Sequence, residues 1–162
     1  MNIVSYSGGK DSTAMLIKMI EDDVKIDEVI FIDLGKEFLE IELEINKMEK
    51  YLRNKLNIGI TKLKLDRSFD YYQLKHKKRN GKKGYGWCGG VARWGTSLKQ
   101  RLFNKYIKKK YGYDKVVNFE GIAFDEPDRI DKNNKSLNIR KLSKRYEDGE
   151  FNKKLSMERK SN

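Results

Sequence analysis

One hexapeptide near the start of the chain, Ser7-Gly8-Gly9-Lys10-Asp11-Ser12, constrains the fold more than any other stretch. It is entered from a short apolar run, Asn2-Ile3-Val4-Ser5-Tyr6. It leads into a segment in which Met15, Leu16, Met19 and Ile20 share one helical face. A strand, a glycine turn and a helix from about Asp11 to Glu21 are therefore written in one line. Adjacent glycines admit positive φ and a close approach of a ligand to the backbone. Successive N–H groups in such a turn form an anion-binding nest, and the helix behind it aims its positive end at the same space. Ser7, Asp11 and Ser12 can cap the helix, a hydroxyl left over can donate to a phosphate oxygen, and Lys10 adds a charge. This reads as a phosphate cradle; the alternative is an ordinary strand–turn–helix corner. It is not a Walker loop, whose spacing is absent.

The continuous apolar centre of Asp27-Glu28-Val29-Ile30-Phe31-Ile32-Asp33 marks a second strand covered on both faces. Strand, helix and strand make a right-handed βαβ unit. A second helix is expected from Phe38 to about Lys55, carried by Ile41, Ile45, Met48 and Leu52. A third strand is expected over Ile58–Leu65, a third helix over Ser97–Tyr111 with Thr96 as its cap, and a fourth strand over Asp114–Ile122. The fold class is α/β, an open and mainly parallel sheet flanked by helices, and such sheets bind ligands at strand carboxyl ends.

Four motifs in order carry a resemblance. Ser7–Ser12 resembles the PP-loop of the adenine nucleotide α-hydrolase-like superfamily, which includes N-type ATP pyrophosphatases and phosphoadenosine phosphosulfate (PAPS) reductases. Asp33-Leu34-Gly35-Lys36-Glu37-Phe38-Leu39-Glu40 resembles D-T-G-x-E-F-P-E of PAPS-reductase-like proteins, with Leu34 for Thr and Leu39 for Pro. Trp87 to Lys99 is similar to a W-C-x-x-x-x-R-W-x-T-x-x-L-K region best known from phage and prophage members. Gly121 to Arg129 is similar to G-I-A-x-D-E-P-x-R. Beyond Arg129 the resemblance ends, and residues 132–162 read as a basic polar tail, poorly ordered or diverged, attached to a single domain over residues 1–131.

The resemblance implies an adenine nucleotide, ATP or PAPS, with its phosphates on Ser7, Gly8, Gly9, Lys10, Asp11 and Ser12. It places Asp33 and Gly35 near the adenosine, and Arg93, Lys99 and Arg129 among the phosphate or sulfate contacts. Asp125 and Glu126 would hold Mg²⁺ on a triphosphate, or else pair with Arg129 and Arg93. The candidate catalytic residues are Lys10, Asp11, Arg93 and Cys88. Two activities stay open. One is cleavage of ATP between the α and β phosphates to adenylate a substrate. The other is reduction of PAPS, although the Glu-Cys-Gly motif of the reductases proper is absent and the cysteine lies elsewhere. A domain that folds without activity is a third possibility. Cys88 is either a thiol activated by basic neighbours or a small buried hydrophobe. Trp87 and Trp94 read as packing residues, with base stacking as the alternative, and His76 reads as a surface residue.

Charge supplies the remaining partner. The chain carries a net charge of +12, and Lys75 to Lys110 holds thirteen Lys and Arg with no Asp or Glu. This segment is a basic loop over an anion site, a nucleic-acid contact, or a solvated basic face. One cysteine excludes an internal disulfide and an iron–sulfur cluster held within one chain. No apolar run of ~18 residues suggests a membrane span, and the start shows no secretory signal, so a cytoplasmic protein is expected.

Overall fold

The computed structural model describes residues 1–89, 92–112, 116–121 and 140–143. The elements are β1 (Asn2–Tyr6), α1 (Lys10–Glu21), β2 (Glu28–Asp33), α2 (Leu39–Leu56), β3 (Ile60–Lys64), a single π-turn (Tyr71–Lys75), α3 (Trp94–Tyr111), β4 (Val117–Glu120) and β5 (Arg140–Ser143). The strand order is β3-β2-β1-β4-β5. β1 pairs β4 in parallel with Ser5 opposite Glu120, and β4 pairs β5 in parallel. The fold is α/β, a parallel sheet with flanking helices, as the strand–turn–helix reading requires. Its order is that of doubly wound sheets, in which the direction of winding reverses between β1 and β4.

The described residues divide into two compact units, with boundaries at Val29/Ile30 and Gly112/Tyr113. In the first, Ile3, Val4, Leu16, Met19 and Val29 are fully buried and Phe119 nearly so. Removing each such side chain from water contributes roughly 1.5–3 kcal/mol. Burying both faces of β1 and β4 explains why their sequences run apolar without strict alternation. In the second unit, Ile45, Met48 and Leu52 form the buried stripe of α2, and Tyr72, Trp94 and Leu98 seed an aromatic cluster with Phe69, Tyr71, Tyr85 and Cys88 against it.

Beyond trimming of the strand ends, such as β3 at Ile60–Lys64 where Ile58–Leu65 was expected, three features depart from the sequence reading. α3 begins at Trp94 with Arg93 at its N-cap and no side-chain cap, so Thr96 lies inside the first turn. Burial of Trp94 and Gly95 pulls the helix start forward past the residue with the better capping chemistry. α2 starts at Leu39, because Phe38 keeps an extended backbone (φ −69°, ψ 150°). In the stretch read as a tail, Arg140–Ser143 forms β5, where a four-residue strand is held by pairing to β4 and not by its own polar composition.

Candidate functional site

β1 ends at Tyr6 and β4 at Glu120, so the chain leaves both strands at the reversal point of the sheet. The glycine loop leads out of β1. Gly8 has φ +75°, a left-handed conformation natural to glycine. Gly9 is extended (φ −83°, ψ 164°) and is the N-cap of α1. The serines do not cap the helix as their chemistry suggests. Instead the Ser7 and Ser12 hydroxyls meet at 2.9 Å, and the Ser12 hydroxyl donates to the Gly9 carbonyl at 3.0 Å. The Ser12 Oγ also accepts the Ser7 N–H at 3.2 Å, and the Gly9 N–H reaches Ser7 Oγ at 3.3 Å. Ser12 is buried, so this hydroxyl pair sets the shape of the turn from inside.

The consequence is chemical. With the serine oxygens turned inward, α1 keeps no side-chain cap. Among the described residues no acceptor meets the N–H of Gly8, Asp11 or Ser12. These are donors at the positive end of a helix, the arrangement that receives phosphate oxygens. Lys10 is exposed and pairs with Asp11 at 2.7 Å, and an exposed pair of this kind is weak.

Gly121 is the first residue beyond β4. A Cβ built there would lie 2.7 Å from both the Asp11 carbonyl oxygen and the Ser12 nitrogen. The backbone leaving β4 therefore lies directly against the first turn of α1, at a distance only glycine allows. Ser7, Gly8, Gly9, Lys10, Asp11 and Ser12 are thus brought together with the start of the fourth motif. Asp125, Glu126 and Arg129 of that motif lie outside the described residues.

The other candidates lie in the second unit. The Asp33 carboxylate accepts the Gly35 N–H at 2.6 Å and stands 3.8 Å from Lys64 Nζ, and Gly35 has φ +83° with open space where a Cβ would be. Lys99 Nζ pairs with Glu37 Oε1 at 2.9 Å, both partly buried, which ties the start of α3 to the second motif. Arg93 is exposed, and its carbonyl accepts the Ser97 N–H and hydroxyl. Cys88 is half-buried against the aromatic cluster, and a Cβ on Gly95 would meet its Sγ at 2.8 Å. Among the described residues no group of three or more His, Cys, Asp or Glu is placed to hold a metal ion.

A family model described as phosphoadenosine phosphosulfate reductase domain matches residues 1–145. The chain belongs to that family. The match runs past Arg129, where the motif resemblance ends, and takes in β5. An uncharacterized protein of Methanocaldococcus jannaschii is 29% identical over 120 residues, which is 74% of this chain and 22% of that protein. The chain thus matches about a fifth of the relative's length. No solved structure matches it. No helix among the described residues is long and apolar enough to cross a membrane.

Within this PAPS reductase domain, some residues at the reversal point carried no signal in the motifs. Asn118 is fully buried; its amide oxygen accepts the Ser5 hydroxyl at 2.9 Å and its amide nitrogen donates to Glu120 Oε1 at 2.8 Å. This polar ladder joins β1 to β4 just below the loop. An asparagine within Val116-Val117-Asn118-Phe119 was the available clue, since buried amides need partners. The Tyr6 hydroxyl reaches Thr13 Oγ1 at 3.1 Å and fixes the end of β1 to the first turn of α1.

Proposed function

We propose that this PAPS reductase-like domain is a PP-loop protein that binds an adenine nucleotide, ATP or PAPS, with the phosphates on Gly8 to Ser12. The observation that carries the reading is the inward-turned Ser7–Ser12 hydroxyl pair, which leaves the N–H groups of Gly8, Asp11 and Ser12 without acceptors among the described residues. The backbone would then supply the phosphate contacts and Lys10 a positive charge beside them. Asp33 and Gly35 are the proposed adenosine side, with Arg93, Lys99 and Arg129 as further anion contacts.

The activity proposed is cleavage of ATP at the α–β bond, in which an acceptor oxygen takes the adenylyl group and pyrophosphate leaves. Lys10 and Asp11 stand nearest the proposed phosphate position, and Mg²⁺ held by Asp125 and Glu126 would neutralise the leaving pyrophosphate. The apolar and aromatic surroundings of Cys88 favour a packing role over the nucleophile that PAPS reduction needs. A cytoplasmic location fits both activities.

Calorimetric titration with ATP, with and without Mg²⁺, PAPS and AMP tests the reading. Preference for Mg-ATP supports adenylation and calls for detection of AMP and pyrophosphate. Preference for PAPS, with sulfite release abolished in Cys88→Ser, restores the reductase. A Gly9→Val variant is the sharpest control. Its Cβ would meet Ser7 Oγ at an ordinary 3.4 Å and its backbone is unstrained, so it should fold and lose nucleotide. Unchanged nucleotide binding by that variant overturns the cradle.

A further inference from the structure

The nine residues Lys75–Lys83 carry six cations, Lys75, Lys77, Lys78, Arg79, Lys82 and Lys83, and no acid. They form a built hairpin. Lys77 and Lys83 are bridged antiparallel, the Lys78 N–H donates to the Lys82 carbonyl at 2.9 Å, and the Gly84 N–H donates to the His76 carbonyl at 2.8 Å. Gly81 turns the tip with φ +81°. The base is bolted to the π-turn, with Tyr85 N–H on the Tyr72 carbonyl and Gly86 N–H on the Gln73 carbonyl, each at 3.0 Å. The His76 ring stacks on Tyr85 (4.9 Å, 24°) and Tyr85 on Trp94 (5.6 Å, 20°). The sole histidine is therefore a structural member of this stack.

Two observations separate this hairpin from an ordinary solvated basic face. Residues opposite one another across an antiparallel bridge share a face, and like charges there destabilise the pair. Lys77 and Lys83 are so placed, and among the described residues none of the six cations forms an ion pair. An anion on that face would remove the repulsion. The second observation is Trp87, three residues beyond Gly84. It is 78% exposed, whereas Trp94 is 8% exposed. Packing, expected for both, holds only for Trp94. Anchored cations beside a solvent-facing indole are what holds unpaired nucleotides, with the charges following the phosphates and the ring stacking a base. A duplex keeps its base faces stacked and offers the indole nothing.

We propose that the hairpin 75–84 and Trp87 together bind single-stranded nucleic acid, reading phosphates and base planes and neither sequence nor sugar. The test is fluorescence anisotropy with a labelled oligothymidylate on the order of 15 nucleotides, an oligouridylate of equal length and a duplex. Both single strands should bind, and the duplex more weakly. Trp87→Ala should weaken single-strand binding roughly tenfold and Trp87→Phe should restore most of it. The triple variant Lys77→Gln, Arg79→Gln, Lys83→Gln should lower the slope of log affinity against log salt by about 2. A control triple on α2, Lys47→Gln, Lys50→Gln, Lys55→Gln, should leave it nearly unchanged. Equal losses in the two triples, normal binding by Trp87→Ala, or a duplex held as tightly as a single strand overturns the proposal. Calorimetric ATP binding should be unaltered in all of these variants, so this failure is distinct from failure of the nucleotide reading.

Discussion

The loop at Ser7–Ser12 and the hairpin at Lys75–Lys83, as the two proposed sites, would each present positive character to an anion, by opposite means. In the loop the donors are backbone N–H groups, and serine hydroxyls are spent on shaping the turn. In the hairpin the backbone is spent on the bridge and the side chains carry the charge. A backbone site is fixed in place and suits one small ligand of defined geometry. A side-chain site adapts and suits a polymer. Both depend on a glycine pressed against another element: Gly121 against Asp11 and Ser12 in the first unit, Gly84 against Gln73 and Leu74 in the second.

The largest expected effect breaks the second of these. Gly84 has φ +66°, and a Cβ there would sit 2.3 Å from the Gln73 carbonyl oxygen. Gly84→Ala combines a backbone clash with left-handed strain and should destabilise the protein by about 3 kcal/mol, seen as a lowered denaturation midpoint. Gly121→Ala meets backbone at 2.7 Å and should cost about 2 kcal/mol. The two differ in what else is lost: Gly121→Ala should impair nucleotide binding and spare the hairpin, and Gly84→Ala the reverse. If both lost both functions equally, the two sites would not be separate structural devices.

The same contrast explains what was legible in the sequence. The strand–turn–helix course of the glycine loop could be read directly because it is local, with two glycines between a strand and a helix, but the serines expected to cap α1 turn inward instead. The α/β class followed from the loop and from the apolar run at Val29–Ile32. The hairpin could not be read, because its order comes from contacts absent from any short window, namely the Gly84 approach, the His76–Tyr85–Trp94 stack and the π-turn. Composition marked the segment as basic without distinguishing a fold from a loop. Thr96 misled for a related reason, since burial of Trp94 outweighed a good cap. β5 was missed because a strand formed by pairing need not look like one.

Alkali should act on the second unit. The Tyr72 hydroxyl donates to Asp66 at 2.6 Å, and that bond together with burial pushes the phenol from 10.0 up to about 12. A raised folded-state value stabilises the protein fully below the unfolded one, and the contribution is lost as pH rises from about 10 through about 12. Tyrosinate absorbance should show a late-titrating group that is absent in Tyr72→Phe, and that variant should lose less stability over this window.

Acid offers the finest discrimination, because depressed carboxylates occur in both units: Asp27 in the first, Glu49 and Asp66 in the second. Glu49 is lowered by Arg53 at 2.8 Å and Lys62 at 3.0 Å. For Asp27 burial is the strongest influence and acts upward, but the Asn2 N–H at 2.7 Å and Lys25 at 3.0 Å together outweigh it. Depressed values mean stability that is present above the unfolded carboxylate range and lost as pH falls through the folded one. Partly exposed pairs are worth under about 1 kcal/mol. Glu49→Gln and Asp27→Asn should each remove a small part of the acid dependence of the denaturation midpoint. Asp27→Asn should remove more, because its carboxylate also receives the backbone N–H that opens β1. A larger effect from Glu49→Gln would mean that ion pairing on α2, and not anchoring of the first strand, limits stability in acid.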